Sequence, residues 1–178
     1  MKKFYSITIF MFLLVVGCSS EPTLQKYFVE NTENKNFIVL DVSPSVLNVD
    51  RAKLSAEQIE ALDSFDKMNV LAFKLNETNK VQFEAERTKV NKILKNKKYQ
   101  ELMKYGSGSI GASISYVGSE EHIEEFVLFA NSKEAGFAVI RVLGTDMNPN
   151  SVVTLMSVLK SSNIDMAQLK PLEEMFKK

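Results

Sequence analysis

The sequence contains one cysteine, Cys18, and it closes the most apolar stretch of the chain. A single thiol permits no intrachain disulfide, so the fold must be held together by buried apolar surface. Of the 178 residues, 45% are hydrophobic and 25% charged, which is ordinary usage for a globular domain. A chain of this size can bury roughly 70% of its unfolded surface. Wholesale disorder, a collagen-like fibre and a disulfide scaffold are excluded. Lys and Arg number 22, as do Asp and Glu. That balance argues against a nucleic-acid partner, which selects for basic faces. One His and one Cys supply no zinc ligand set and almost no basis for histidine catalysis, so no metal and no cofactor is expected.

Residues 1–18 read MKKFYSITIFMFLLVVGC. Lys2 and Lys3 form a short positive head, and residues 4–16 are mostly apolar. A run this short falls below the roughly 20 residues that a membrane-spanning helix needs, but it suits the apolar core of a secretory signal. The string Val15-Val16-Gly17-Cys18 resembles the bacterial lipobox, in which a small residue precedes a Cys that is acylated and becomes the new N-terminus. Residues 1–17 are therefore expected to be a lipoprotein signal peptide and Cys18 the lipidation site. Residues 18–22 would be a tether, and 23–178 one domain. Removing 17 of the 178 residues leaves 161, and losing Lys2 and Lys3 leaves 20 cations against 22 carboxylates. Acyl chains contribute about 0.8 kcal/mol per buried CH₂, enough in combination for firm membrane attachment. Ser19 beside the Cys does not resemble an inner-membrane retention signal, so the expected location is the outer membrane, on its periplasmic face.

Along the remaining chain, Thr23 is placed to cap a short helix through Asn31, with Leu24, Tyr27 and Phe28 on one side. Phe37–Val42 reads as a strand ended by Ser43-Pro44. Ser55 to Gln58 fits a capping box. The helix after it carries Ile59, Leu62 and Phe65 at helical spacing and runs to about Met68. Val70–Leu75 is a second strand, and strand–helix–strand suggests a crossover. Residues 80–95 form a charged helix with Phe83, Val90 and Leu94 inward and Glu84, Glu86, Lys89, Lys92 and Lys95 in water. Lys97–Tyr105 reads as further helical turns stopped by Gly106. Ser109–Val117 alternates Ile110, Ala112, Ile114 and Tyr116 with a flat polar face of Ser109, Gly111, Ser113 and Ser115. Ile123–Ala130 and Phe137–Leu143 complete an antiparallel meander. Asn148-Pro149 starts a last helix with Val152, Leu155, Met156 and Leu159 inward. Residues 163–178 carry a weaker pattern, with a turn at Asp165 and an interruption at Pro171.

Several motifs invite chemistry. Gly106 to Gly111 satisfies G-x-G-x-x-G, but a dinucleotide loop lies between a strand and a helix N-terminus, and here a strand follows it. Ser64 and Lys67 satisfy S-x-x-K, without the K-T-G and S-D-N strings that complete such a site. His122 lies among four glutamates with no second ligand. Asp41 and Arg141 each interrupt an apolar strand-like run. Burial would require a partner, so they form a possible buried charge pair if their strands are neighbours.

Tyr99-Gln100-Glu101-Leu102-Met103, the Gly/Ser-rich entry after it, the run from Ile123 to Leu128 and the run from Phe137 to Gly144 together resemble the DUF4252 family of Bacteroidota lipoproteins. The start at Leu24–Phe28 and the strand at Val70–Leu75 fit the same pattern. The resemblance covers about residues 23–162. It implies an envelope location and a domain extent, and it brings no activity, cofactor or catalytic residue with it.

The expected architecture is α+β, a mixed and antiparallel sheet of about five strands with helices mainly on one face. The expected function is a membrane-anchored, non-catalytic binding or interaction module. Its contacts would be the membrane through Cys18 and either an envelope protein or a second copy. The alternative is a periplasmic hydrolase using carboxylates or the Ser64/Lys67 pair.

Overall fold

A computed structural model of the chain describes residues 21–47 and 49–161. Its elements are α1 (Leu24–Asn31), β1 (Phe37–Val42), two 3-10 turns (Pro44–Leu47 and Arg51–Lys53), α2 (Ala56–Asp63), β2 (Phe65–Lys74), α3 (Lys80–Leu94), β3 (Gln100–Ser107), β4 (Ile110–Gly118), β5 (Ile123–Ser132), β6 (Gly136–Met147) and α4 (Pro149–Ser161). The strands form one six-stranded sheet in the order β1-β2-β6-β5-β4-β3, with every neighbouring pair antiparallel. The class is α+β.

Local chemistry starts the helices where the sequence places them. Thr23 Oγ1 accepts from the Lys26 N–H at 3.2 Å. The Ser55 hydroxyl accepts from Gln58 N at 3.2 Å, and Gln58 Oε1 accepts from Ser55 N at 3.0 Å, which satisfies two orphan donors of α2. Asn148 and Ser151 make the same reciprocal pair at α4, both bonds 3.1 Å.

The two sheet faces are covered differently. On one, Phe37, Phe73 and Phe137 lie in register across β1, β2 and β6. Phe37 meets Phe73 edge-on at 5.1 Å, and Phe73 stacks on Phe137 at 5.5 Å. Leu24, Tyr27 and Phe28 of α1 and Phe83, Val90 and Ile93 of α3 close over this row to form the main core. On the other face, α2 and α4 bring Ala61, Leu62 and Leu155 to Phe65. Tyr116, Ile123, Phe126 and Met147 pack beside them.

Six expectations are corrected. The β1–β2 connection is not a parallel crossover: the two strands are antiparallel, and α2 is an excursion between their adjacent ends. The helix after Ser55 stops at Asp63, and Phe65 already pairs with Gly144. Cross-strand pairing therefore overrides the helical spacing of Phe65. Lys97–Tyr105 is not helical; from Gln100 onward it is the edge strand β3, paired to β4 through Met103↔Ile114 and Tyr105↔Ala112. Glu86 faces the core rather than water. The serine face of β4 is turned toward the α1/α3 layer, with Ser115 buried, while Ile110 on the opposite face is exposed. The helices divide between both faces, because α2 and α4 have their own apolar stripes to bury.

Cys18 and the leader before it lie outside the described residues, as do the side chains of Met156 and Leu159 and the expected features at Asp165 and Pro171.

Candidate functional site

The alternation of β5 places Glu125 on the same face as Val127 and Phe129, beneath the α1/α3 layer. The β5–β6 register sets Val127 opposite Arg141, so Glu125 is the diagonal neighbour of Arg141. Arg141 Nε donates to Glu125 Oε1 at 2.6 Å, with side chains only 8% and 6% exposed. The guanidinium also lies over the Phe28 ring at 5.5 Å. This cation is thus satisfied by a carboxylate from the sheet and an aromatic face from α1.

Asp41 and Arg141 are not brought together. β2 separates their strands, and Asn69 stands between them in the register, opposite Asp41 on one side and Arg141 on the other. Asp41 is exposed and accepts a hydrogen bond from Asn69 Nδ2. A second buried carboxylate takes part in a separate arrangement. Tyr27 Oη donates to Glu86 Oε2 at 2.8 Å, and Lys89 Nζ reaches Glu86 Oε1 at 2.7 Å. Burial, then the bond to Glu86, drives the Tyr27 phenol far above its ordinary value. Burial also raises Tyr99, opposed by the Leu24 N–H, which donates to its hydroxyl at 3.3 Å. Glu86, expected in water, and Glu125, not singled out from the sequence, each carry a signal: period two for Glu125 and, for Glu86, its place in the series Phe83, Glu86, Val90, Ile93.

The remaining motifs settle into structural positions. Ser64 caps the end of α2 and donates its hydroxyl to Ala61 O at 2.9 Å. Lys67 lies beyond a bulge in β2 and is exposed, and no hydrogen bond joins the two. Gly106 to Gly111 spans a β-hairpin, with Gly108 at φ 56° in its turn; this is strand–turn–strand, not strand–turn–helix. His122 Nδ1 lies 2.9 Å from Asp146 Oδ1 with both side chains largely exposed. Among the described residues no group of three or more His, Cys, Asp or Glu is placed to hold a metal ion, and no helix is long and apolar enough to cross a membrane.

The Arg141–Glu125 pair ties β5 to β6 beneath Phe28 of α1, and the Tyr27–Glu86 bond ties α1 to α3 beside a shallow depression that Tyr27 and Lys89 help to line. The features that face outward are of a different kind. The edge strand β3 is exposed along its whole length. Leu102, Met103 and Tyr105 project from it, and Ile110 from the adjoining β4, with exposures of 46%, 62%, 63% and 57%. An edge strand offers unpaired backbone groups to another chain, and apolar side chains beside it add contact area.

No curated protein and no solved structure matches the chain. Residues 27–155 match a family model described as a domain of unknown function, DUF4252. That span runs from the middle of α1 to the middle of α4, so the chain belongs to the DUF4252 family.

Proposed function

We propose that this chain is an envelope lipoprotein, acylated at Cys18 and held at the outer membrane on its periplasmic face, whose domain serves as a non-catalytic binding or interaction module. The observation that carries this reading is the N-terminal string itself. Lys2-Lys3 precedes a 13-residue stretch at 4–16 that is too short to span a bilayer and ends in Val-Val-Gly-Cys at the only cysteine. The short approach from Cys18 to Glu21, whose carboxylate is bonded to Asn96, supports a domain held close to the bilayer. The module part rests on the exposed β3 edge with its apolar side chains, which suits a protein or second-copy partner better than a small-molecule substrate.

Metabolic labelling with an alkyne fatty acid tests the anchor. The wild-type protein should take up label and sediment with membranes, and Cys18→Ala should lose both. An unlabelled wild type, or a Cys18→Ala variant that still matures and sediments, would sink the reading.

A further inference from the structure

The chain is neutral overall, but its charge is not evenly spread. Between Arg87 and Gln100 there are six cations (Arg87, Lys89, Lys92, Lys95, Lys97 and Lys98) and no carboxylate. Two of them are engaged: Arg87 with Glu84 at 2.6 Å and Lys89 with Glu86 at 2.7 Å. Lys92, Lys95, Lys97 and Lys98 are exposed, and among the described residues none of them meets a carboxylate within 4.0 Å. Lys98 instead lies over the Tyr99 ring at 5.9 Å.

The start of the domain is fastened to this cluster. Asn96 Nδ2 donates to Glu21 Oε2 at 2.6 Å, and the Leu24 N–H donates to Tyr99 Oη at 3.3 Å. Pro22, Thr23 and Lys26 share one depression with Lys89 and Lys92. Glu21 is the third residue after Cys18, at most about 11 Å away along extended chain. A lipid on Cys18 would therefore hold Glu21, and the end of α3 bonded to it through Asn96, within about 11 Å of the bilayer surface, about one Debye length.

Resting on the anchor reading, we propose that the lysine cluster at the end of α3 seats the domain on anionic phospholipid headgroups, with the α1/α3 layer toward the membrane. Point-charge ammonium groups on flexible stems suit phosphate-rich surfaces. The acids facing the cluster do not cancel it. Glu84 and Glu86 are taken up by Arg87 and Lys89. Glu30 borders the depression but lies 3.9 Å from Lys26, and Glu21 is bonded to Asn96. Glu120 and Glu121 occupy the β4–β5 turn at the end of the sheet where β3 begins, since Gln100 reaches Gly118 O at 2.7 Å. An anionic surface repels that turn while it attracts the lysines, so the domain lies on its helical layer instead of standing on the sheet end.

The test uses the purified, acylated mature protein on vesicles of phosphatidylcholine alone or with phosphatidylglycerol. Lysines are labelled with an amine-reactive reagent and read by mass spectrometry, with Lys133 in the far β5–β6 turn as reference. Labelling of Lys92, Lys95, Lys97 and Lys98 should fall at least fivefold on the anionic vesicles relative to the neutral ones, and 0.5 M salt should restore it. A variant carrying Lys92→Glu, Lys95→Glu and Lys98→Glu should lose the protection at Lys97. Equal labelling on both vesicles with acyl chains present in the intact mass overturns the proposal and leaves the anchor standing. Protection that arises only in envelope fractions and not on anionic vesicles assigns the cluster to an acidic protein and equally overturns it. An intact mass without acyl chains overturns the anchor reading, and this proposal with it.

Discussion

Arg141 is the residue on which the sheet and the first helix depend jointly. Its charge is taken out of water at a cost that only close, well-directed partners repay, and it has two, Glu125 at 2.6 Å and the Phe28 ring at 5.5 Å. Removing either charge alone strands the other. Arg141→Met or Glu125→Leu alone should each lower stability by about 3–5 kcal/mol in urea unfolding. The double replacement Arg141→Met with Glu125→Leu should cost much less than the sum, because no lone charge then remains buried. Additive losses would show that the two side chains do not act as a pair. Sequence spacing identified Arg141 as a charge needing a partner but could not choose Glu125 over Asp41. That choice depends on strand order, and β2 lies between β1 and β6. The same limit hid the partner of Glu86, because Tyr27 is 59 residues away in sequence.

At the scale of elements, the caps were the most legible feature, since each rests on contacts within three residues. Thr23, Ser55 and Asn148 all act as read. Boundaries set by tertiary pairing were not legible. Phe65 continues the spacing of Ile59 and Leu62, yet it belongs to β2, where it meets Gly144 of β6. β3 is exposed on both faces, so it carries no period-two burial signal and reads as helix from its Tyr, Leu, Met and Lys content. The β5–β6 turn shows how closely two neighbouring strands can constrain one residue. Gly136 has φ 119°, and a Cβ built there would lie 1.9 Å from Phe73 O on β2. Gly136→Ala therefore meets both a disfavoured backbone and a backbone wall. The conformational term alone is about 1–3 kcal/mol, and the clash must add displacement of β2 from β6. A thermal melt should show this variant well below wild type. A variant within about 0.5 kcal/mol of wild type would mean that the β2–β6 pairing tolerates movement at this end.

At the scale of the molecule, two buried phenols fasten α1 to the rest. Tyr27 reaches Glu86 of α3, and Tyr99, just before β3, accepts from the backbone at the start of α1. Folding raises both pKa values above the ordinary 10.0, in each case chiefly by burial. A group that holds its proton more tightly when folded contributes stability in full below its unfolded pKa, and loses it as pH rises toward the folded value. The chain should therefore keep full stability through neutral pH and lose it progressively above about pH 10. Lysine deprotonation occurs in the same range, so the informative quantity is the difference between variants. Tyr27→Phe deletes a hydrogen bond to a charged group and should cost about 1.5–3 kcal/mol at pH 8. It also deletes one phenol whose ionisation drives the alkaline loss, so its stability should fall less steeply than wild type between pH 9 and pH 11. Urea midpoints for the two proteins should thus converge as pH rises. Parallel slopes would place the alkaline transition elsewhere and remove the phenol of Tyr27 from any part in docking α1 on α3, the same two helices that carry the start of the domain and the lysine cluster.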